Sequence, residues 1–97
     1  MKLVMVTYHF EFNEDVEKIL DDCQVLDFVR YSMVEGKDRD GKHFGSKVYP
    51  GNSSVVFAQI EDDTVEKLLE DLEKFRSEEK SHRHLTTLVM PVESRLG

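Results

Sequence analysis

The spacing of apolar residues divides this chain into six elements. Four short stretches are rich in β-branched and aromatic residues, which suit the pleated surface of a strand; they are residues 2–10, 25–34, 54–60 and 84–92. Two longer stretches, one after the first strand and one after the third, repeat their apolar residues with the period of a helix. The pattern therefore predicts strand–helix–strand twice in succession.

The first helix is predicted over residues 14–23. Asn13 is a typical N-cap residue, and the acidic residues that follow it fall in the first turn, where the helix dipole favours anions. Four residues at positions i, i+3, i+4 and i+7 form its apolar side, namely Val16, Ile19, Leu20 and Cys23. Cys23 is thus expected to be a small buried side chain and not a nucleophile.

The second helix is predicted to begin directly after Asp63, which is its N-cap. Glu66 stands three residues later and completes a capping-box pattern, in which the two side chains satisfy backbone N–H groups at the helix start. The buried stripe of this helix consists of Val65, Leu68, Leu69, Leu72 and Phe75. Its opposite side is charged, as is typical of a solvated helix surface.

The βαββαβ order favours an α+β fold of the ferredoxin-like type, with one antiparallel sheet and both helices on one face of it. We expect a single domain over residues 1–97, because no linker or low-complexity segment interrupts the pattern. Alternation in the second strand is imperfect, which either a bulge or a frayed end would explain.

The face of the sheet that the helices leave open is expected to be apolar as well. In residues 2–10 and 54–60 both alternating sets of side chains are largely apolar. Because several exposed Val, Leu or Phe side chains favour association, the sequence predicts an oligomer whose sheets face one another.

The segment between the second and third strands, residues 36–53, has a different composition from the rest. It holds four of the five glycines and shows no helical or strand period. Its four basic residues against two acidic ones give it a charge of +2, so the rest of the chain must carry −9 to reach the net −7. Connections this long are usually either functional or disordered, and we predict that this one is an exposed loop.

Overall charge and the cysteine count exclude several classes of protein. A net charge of −7 disfavours nucleic acid and anionic membrane surfaces as partners. No apolar run approaches the roughly 20 residues of a membrane span. The single Cys23 cannot form an internal disulfide, which favours a reducing compartment and hence the cytoplasm.

Three stretches of the chain resemble the nitrogen regulatory PII superfamily. They are the closing segment LVMPVESRLG of residues 88–97, the opening KLVMVTY of residues 2–8, and the loop end GSKVYPGN of residues 45–52. The loop is similar to the shortened loop of compact PII-like proteins. The resemblance implies a ferredoxin-like protomer in a homotrimer, which binds a nucleotide or another small anionic effector in the clefts between subunits.

The resemblance also implies roles for individual residues. Gly36 matches the position from which the family's loop begins, and Arg95 matches the C-terminal arginine that reaches a ligand phosphate. Three basic residues of the loop are further candidates on their chemistry alone: Lys37, Arg39 and Lys42. Phe44 and Tyr49 would contact a partner, such as a transporter or an enzyme, once an effector orders the loop.

The segment before the last strand departs from the family pattern. The nitrogen regulators carry a glycine- and lysine-rich phosphate loop there, whereas residues 77–84 are SEEKSHRH and contain no glycine. Lys80 and Arg83 remain as side-chain charges for an anion. An adenine nucleotide is therefore one candidate ligand, held by a different set of groups.

Histidines provide an alternative function, that of a divalent-metal-binding or metal-tolerance protein of the CutA-like branch. His82 and His84 are two residues apart, so in an extended chain both imidazoles face one side. His9, at the end of the first strand, is a third candidate ligand.

No motif for catalysis is present, and we predict that the protein is not an enzyme. The sequence contains no Walker motif, HExxH, CxxC or serine elbow. A third possibility is a small-ligand domain similar to the amino-acid-binding ACT modules, which usually pair by their sheet edges as dimers.

Overall fold

A four-stranded sheet covered by two helices forms the body of the protein. The structure, a computed structural model, describes residues 1–34, 36–38, 41–43 and 53–97. Its elements are β1 (Lys2–His9), α1 (Asn13–Asp22), β2 (Phe28–Val34), β3 (Gly36–Asp38), β4 (Gly41–His43), β5 (Ser53–Ile60), α2 (Asp62–Glu78) and β6 (Thr86–Pro91). Short 3₁₀ turns over Phe10–Phe12 and Lys80–His82 connect them.

The strand order β2-β5-β1-β6 confirms the predicted ferredoxin-like architecture. All three pairings in this sheet are antiparallel. The two central strands, β1 and β5, come from the two halves of the chain, and β2 and β6 form the edges. No described helix is both long enough and apolar enough to cross a lipid bilayer.

One set of alternating side chains on the central strands packs against the helices. Val4, Val6 and Tyr8 of β1 are almost fully buried, as are Val56, Ala58 and Ile60 of β5. The helices contribute the positions that their period predicted, chiefly Val16, Leu20, Leu68, Leu72 and Phe75. Cys23 is buried as predicted, whereas Leu69 lies at the margin of the core and is exposed.

Two hydrogen bonds on the helix side of the sheet link β2 to β1 and to α1. The Nε of Arg30 donates a hydrogen bond to the hydroxyl oxygen of Tyr8 over 3.3 Å, and its Nη2 donates to the carbonyl of Asn13 over 3.4 Å. Burial raises the pKa of the Tyr8 phenol above its ordinary value, and the nearby guanidinium only partly opposes this.

Both predicted helix caps are wrong. Asn13 is the first residue of α1 and not its cap, and the cap position, Phe12, makes no side-chain hydrogen bond. α2 begins at Asp62, one residue before the predicted cap, and Glu61 at its cap position makes no side-chain bond either. The first helix begins one residue early and the second begins two residues early, so Asn13 and Asp63 lie inside the first turn and not at the cap positions.

The imperfect alternation of the second strand is caused by a bulge. The pairing of β2 with β5 advances three residues on β2, from Tyr31 to Val34, but only two on β5. Met33 lies in this step with φ 58°, in the left-handed region that non-glycine residues seldom adopt. The strand also begins later than predicted, at Phe28, because Gln24 with φ 60° turns the chain after α1.

Relief of the backbone strain at Met33 should stabilise the protein. We expect Met33→Gly to raise the free energy of unfolding by about 0.5–1 kcal/mol, because glycine removes the steric cost of positive φ at some cost in chain entropy. Met33→Val should lower it, since a β-branched side chain fits this conformation poorly. Chemical denaturation measures both, with Gln24→Gly as a matched control at the other positive φ. A destabilised Met33→Gly variant would contradict the bulge geometry.

Part of the predicted loop forms strands. β3 and β4 pair antiparallel, with Gly36 opposite His43 and Lys37 opposite Lys42. The prediction that residues 36–53 lack strand structure is therefore wrong for these six residues and for Ser53, which is the first residue of β5. Glycines and charged residues gave this hairpin no apolar alternation by which it could be predicted. Arg39, Phe44 and Tyr49 lie outside the described residues.

Candidate functional site

The open face of the sheet is apolar, as the sequence predicts. Residues directly opposite one another share a face, and the register places Val29, Phe57, Met5 and Leu88 in one row across all four strands. A neighbouring row carries Tyr31 and Val55. Val29 is 54% exposed, Tyr31 56% and Leu88 56%, so the edges of this face are covered least.

A groove of about 390 Å³ lies at one end of the open face, and Arg95 contributes to it. Its apolar lining includes Leu3 and Phe57, and its polar lining includes Asp27 and Gln59. The backbone N–H of Val92 donates to the carbonyl of Met1 over 3.4 Å, which holds the closing segment beside the start of β1. The groove therefore places the guanidinium of Arg95 beside an apolar surface. This combination suits a ligand that has both an anionic part and a planar apolar part.

Gly36 lies at the opposite end of the sheet from Arg95. Val34, two residues before Gly36, pairs with Ser53, and Ser53 pairs with His9 at the end of β1. The groove with Arg95 is beside Leu3, six residues back along β1, which corresponds to about 20 Å. The two residues that the resemblance singles out therefore cannot contact one small ligand within one chain.

Arg83 and Lys80 lie at the same end of the sheet as Gly36 but at the other edge. They belong to the connection before β6. The first residue of β6, Thr86, pairs with Thr7 near the end of β1. Two central strands separate this edge from β2, a distance of roughly 14 Å. The structure thus places the predicted binding residues at two ends and two edges of the sheet, and a single chain does not assemble them.

His82 is a buried aromatic residue. Its ring stacks on Phe75 with centroids 3.9 Å apart and meets the edge of Phe12 at 4.7 Å. Its Nδ1 donates to the carbonyl of Phe75 over 2.7 Å. The premise of an extended chain is wrong here, because His82 lies in a 3₁₀ turn and only 8% of it is exposed.

The other candidate metal ligands do not form a site with His82 either. Nδ1 of His9 accepts a hydrogen bond from the backbone N–H of Glu11 over 3.2 Å. His84 follows the turn that buries His82. Within residues 1–34, 36–38, 41–43 and 53–97, no group of three or more His, Cys, Asp or Glu side chains is placed to hold a metal ion. Nothing in this geometry favours the metal-binding alternative.

Cys23 is an unreactive thiol by its surroundings. Burial raises its pKa, and its Sγ donates to a carboxylate oxygen of Asp71 over 3.4 Å, which raises it further. The same carboxylate accepts a bond from Lys67 over 2.8 Å, and these two contacts hold the pKa of Asp71 below its usual range.

Sequence reasoning missed the residues that surround Arg95. The apolar pattern assigns Leu26 and Asp27 to the second strand, but both precede it, and Leu26 is 75% exposed. Gln59 is a polar residue in the otherwise apolar stretch of residues 55–60. That interruption is the one signal in the sequence that marks this end of the open face.

Comparison with solved structures identifies the fold. No family model matches the sequence, and no curated protein matches it. CPII, a nitrogen regulatory PII-like protein from Thiomonas intermedia K12 bound to ADP, AMP and bicarbonate, superposes with a TM-score of 0.75 at 19% identity, over 91% of this chain and 81% of that one. Its apo form gives 0.70 at 17% identity, over 91% and 84%.

A protein from Thermus thermophilus, described as PII-like and signalling, has a TM-score of 0.62 at 10% identity over 91% of this chain and 81% of that one. These likenesses extend over nearly the whole chain and agree with its strand order and helix placement. The chain therefore has the fold of PII-like proteins, as its closing segment and loop implied.

Proposed function

We propose that this protein is a PII-like regulatory protein that binds a small anionic effector in clefts between associated chains. The observation that carries the proposal is the separation of Gly36 from Arg95 at opposite ends of a sheet with an exposed apolar face. Association through that face would bring the end of one chain's sheet that carries Arg95 next to the end of another chain's sheet that carries Gly36. Three chains, as the resemblance implies, would create three such clefts.

The chemistry of the two half-sites fits a nucleotide. The groove beside Arg95 offers apolar wall for a planar base and a guanidinium for a phosphate. The other half-site would be the opposite end of a neighbouring chain's sheet, which carries Gly36 at one edge and the cation of Arg83 at the other. Lys37 and Lys42 stand opposite each other in the hairpin next to Gly36. The binding of ADP and AMP by CPII, which has the same fold, supports this choice of ligand.

Effector binding would act on the segment 36–53. β3 directly follows β2, so a ligand at Gly36 contacts the base of the hairpin. A change in the order of this segment would then expose or withdraw Phe44 and Tyr49 for a partner, such as a transporter or an enzyme in the cytoplasm.

Calorimetry with ADP, AMP and ATP tests the binding site. We expect Arg95→Gln to weaken the binding of ADP about tenfold to a hundredfold, because a charge-assisted hydrogen bond to phosphate contributes about 1.5–3 kcal/mol. Lys18→Gln, which removes a positive charge from the far side of α1, is the control and should leave affinity unchanged.

Mixed oligomers test whether the site is shared. Arg95→Gln and Arg83→Gln chains, each weak alone, should recover part of the ADP binding after mixing and exchange, because some clefts then receive both native arginines. Absence of heat with all three nucleotides, or wild-type affinity in Arg95→Gln, would overturn the nucleotide site. Failure to recover binding after verified exchange would overturn the shared cleft.

A further inference from the structure

A second groove lies on the other side of the molecule, between α2 and the edge strand β6. It has a volume of about 450 Å³. Leu72 and Leu85 are almost fully buried beneath it, and Leu69, 36% exposed, forms an apolar side. Arg76, Thr86 and Thr87 provide its polar lining. The groove therefore combines an apolar surface with a few hydrogen-bonding groups, as small-molecule sites commonly do.

Arg76 is held in a fixed position at this groove. Its Nε donates a hydrogen bond to the carbonyl oxygen of Leu85 over 2.9 Å, which ties the end of α2 to the start of β6. Among the described residues, its two terminal nitrogens have no hydrogen-bond partner and no carboxylate within ion-pair distance. The guanidinium is thus oriented by one nitrogen and retains the pair of donors that recognises a planar oxyanion.

Two lysines of the same helix layer do have an anionic partner. Lys67 pairs with Asp71 over 2.8 Å and Lys18 pairs with Asp22 over 3.2 Å, each one helical turn away. Glu73, which also lines the groove, is one turn from Arg76 but accepts a bond from the hydroxyl of Ser77 over 3.2 Å.

We propose that this groove binds a small organic carboxylate with an apolar body. The ligand's carboxylate pairs with the terminal nitrogens of Arg76, the hydroxyl of Thr87, which lies on the helix face of β6, is at the polar margin, and the apolar body covers Leu69. Glu73 limits the ligand to a single negative charge, because a second charge would lie against its carboxylate. The proposal is independent of the shared cleft, since every residue that it uses belongs to one chain and neither Gly36 nor Arg95 takes part.

Titration with acetate, butyrate and hexanoate, followed by ¹⁵N–¹H NMR, tests the site. The backbone amides of Thr86 and Thr87 and the side-chain Nε–H of Arg76 should shift, and hexanoate should bind about tenfold tighter than acetate because its added methylenes leave water. Arg76→Gln should abolish these shifts. Lys74→Gln, which removes a positive charge two residues away on the same helix, should preserve them.

Leu69→Asn leaves Arg76 unchanged and tests the same groove if the Arg76→Gln variant fails to fold. It should remove the preference for hexanoate over acetate, while acetate still shifts the Arg76 signal. The proposal is overturned if the three acids bind equally to the native chain, or if the shifts appear on residues remote from the groove. It is also overturned if Lys74→Gln weakens binding as much as Arg76→Gln, since that would indicate only a general response to charge.

Discussion

Replacement of Leu88 by glutamate should convert an assembly of several chains into single chains. Leu88 lies on the open face at the β6 edge and is 56% exposed within one chain, so it makes few contacts there that the change would remove. In the proposed assembly it is covered by a neighbour, where a carboxylate would lose its water without gaining a partner. We expect the association constant to fall at least about a hundredfold.

Sedimentation at micromolar concentration measures this result. The native protein should sediment as a multiple of 11.3 kDa, and as three chains if the assembly is a trimer. Leu88→Glu should sediment as one chain with an unchanged circular dichroism spectrum. Leu96→Glu is a matched control, because it introduces the same charge at a residue outside the sheet that is fully exposed.

Two results would contradict the proposal. A native protein that sediments as a single chain would remove the assembly and with it the shared cleft. A Leu88→Glu variant that stays associated would show that the chains meet elsewhere, for example along a sheet edge. In the expected case, nucleotide binding should be lost together with association, although Leu88 is not part of either half-site.

The architecture could be predicted from the sequence because its signal is repeated in every element. Strands β1 and β5 are apolar on both faces, and Val16, Leu20, Leu68 and Leu72 follow the helical period through both helices. If one residue in such a pattern is assigned to the wrong side, the predicted order of strands and helices does not change. Burial of the helix-facing set and exposure of the other set then follow from the one-sided placement of the helices.

Details that depend on one residue's backbone could not be predicted in this way. Positive φ at Met33 creates the bulge, and no property of methionine indicates it. Asn13 has good cap chemistry, but the 3₁₀ turn before α1 extends the helix by one residue and leaves its Oδ1 without a hydrogen-bond partner. In both cases tertiary packing decides between local conformations of similar energy.

The candidate site was the least predictable part, because its residues lie at two ends of the sheet within one chain. Gly36 and Arg95 came from a resemblance, and only the register of the sheet shows that one chain holds them about 20 Å apart. Arg76 had no motif at all. Its significance depends on the carbonyl of Leu85 and on the side chain of Glu73, which the sequence does not place relative to it.

His82 should prove to be a structural residue with a large effect on stability. Its ring stacks on Phe75 and contacts Phe12, and its Nδ1 donates to the Phe75 carbonyl. His82→Ala removes a buried aromatic contact, a hydrogen bond and the volume of a ring. We expect the free energy of unfolding to fall by about 3 kcal/mol.

Two further variants separate packing from metal binding. His82→Phe keeps a ring against Phe75 but loses the Nδ1 donor and the 3.6 Å contact of Nε2 with a carboxylate oxygen of Glu79, so it should cost about 1 kcal/mol. Lys80→Ala, an exposed change in the same 3₁₀ turn, should cost less than about 0.5 kcal/mol. Urea denaturation measures all of these.

Zinc titration of the folded His82→Phe variant then decides the role of the imidazole. We expect any zinc affinity of the native chain to be unchanged, because the ring is enclosed by Phe12 and Phe75 and one of its nitrogens is already bonded to a carbonyl. A loss of zinc affinity without a loss of stability would instead make His82 a metal ligand. The same measurement therefore distinguishes a histidine that closes the end of the helix layer from one that binds a metal ion.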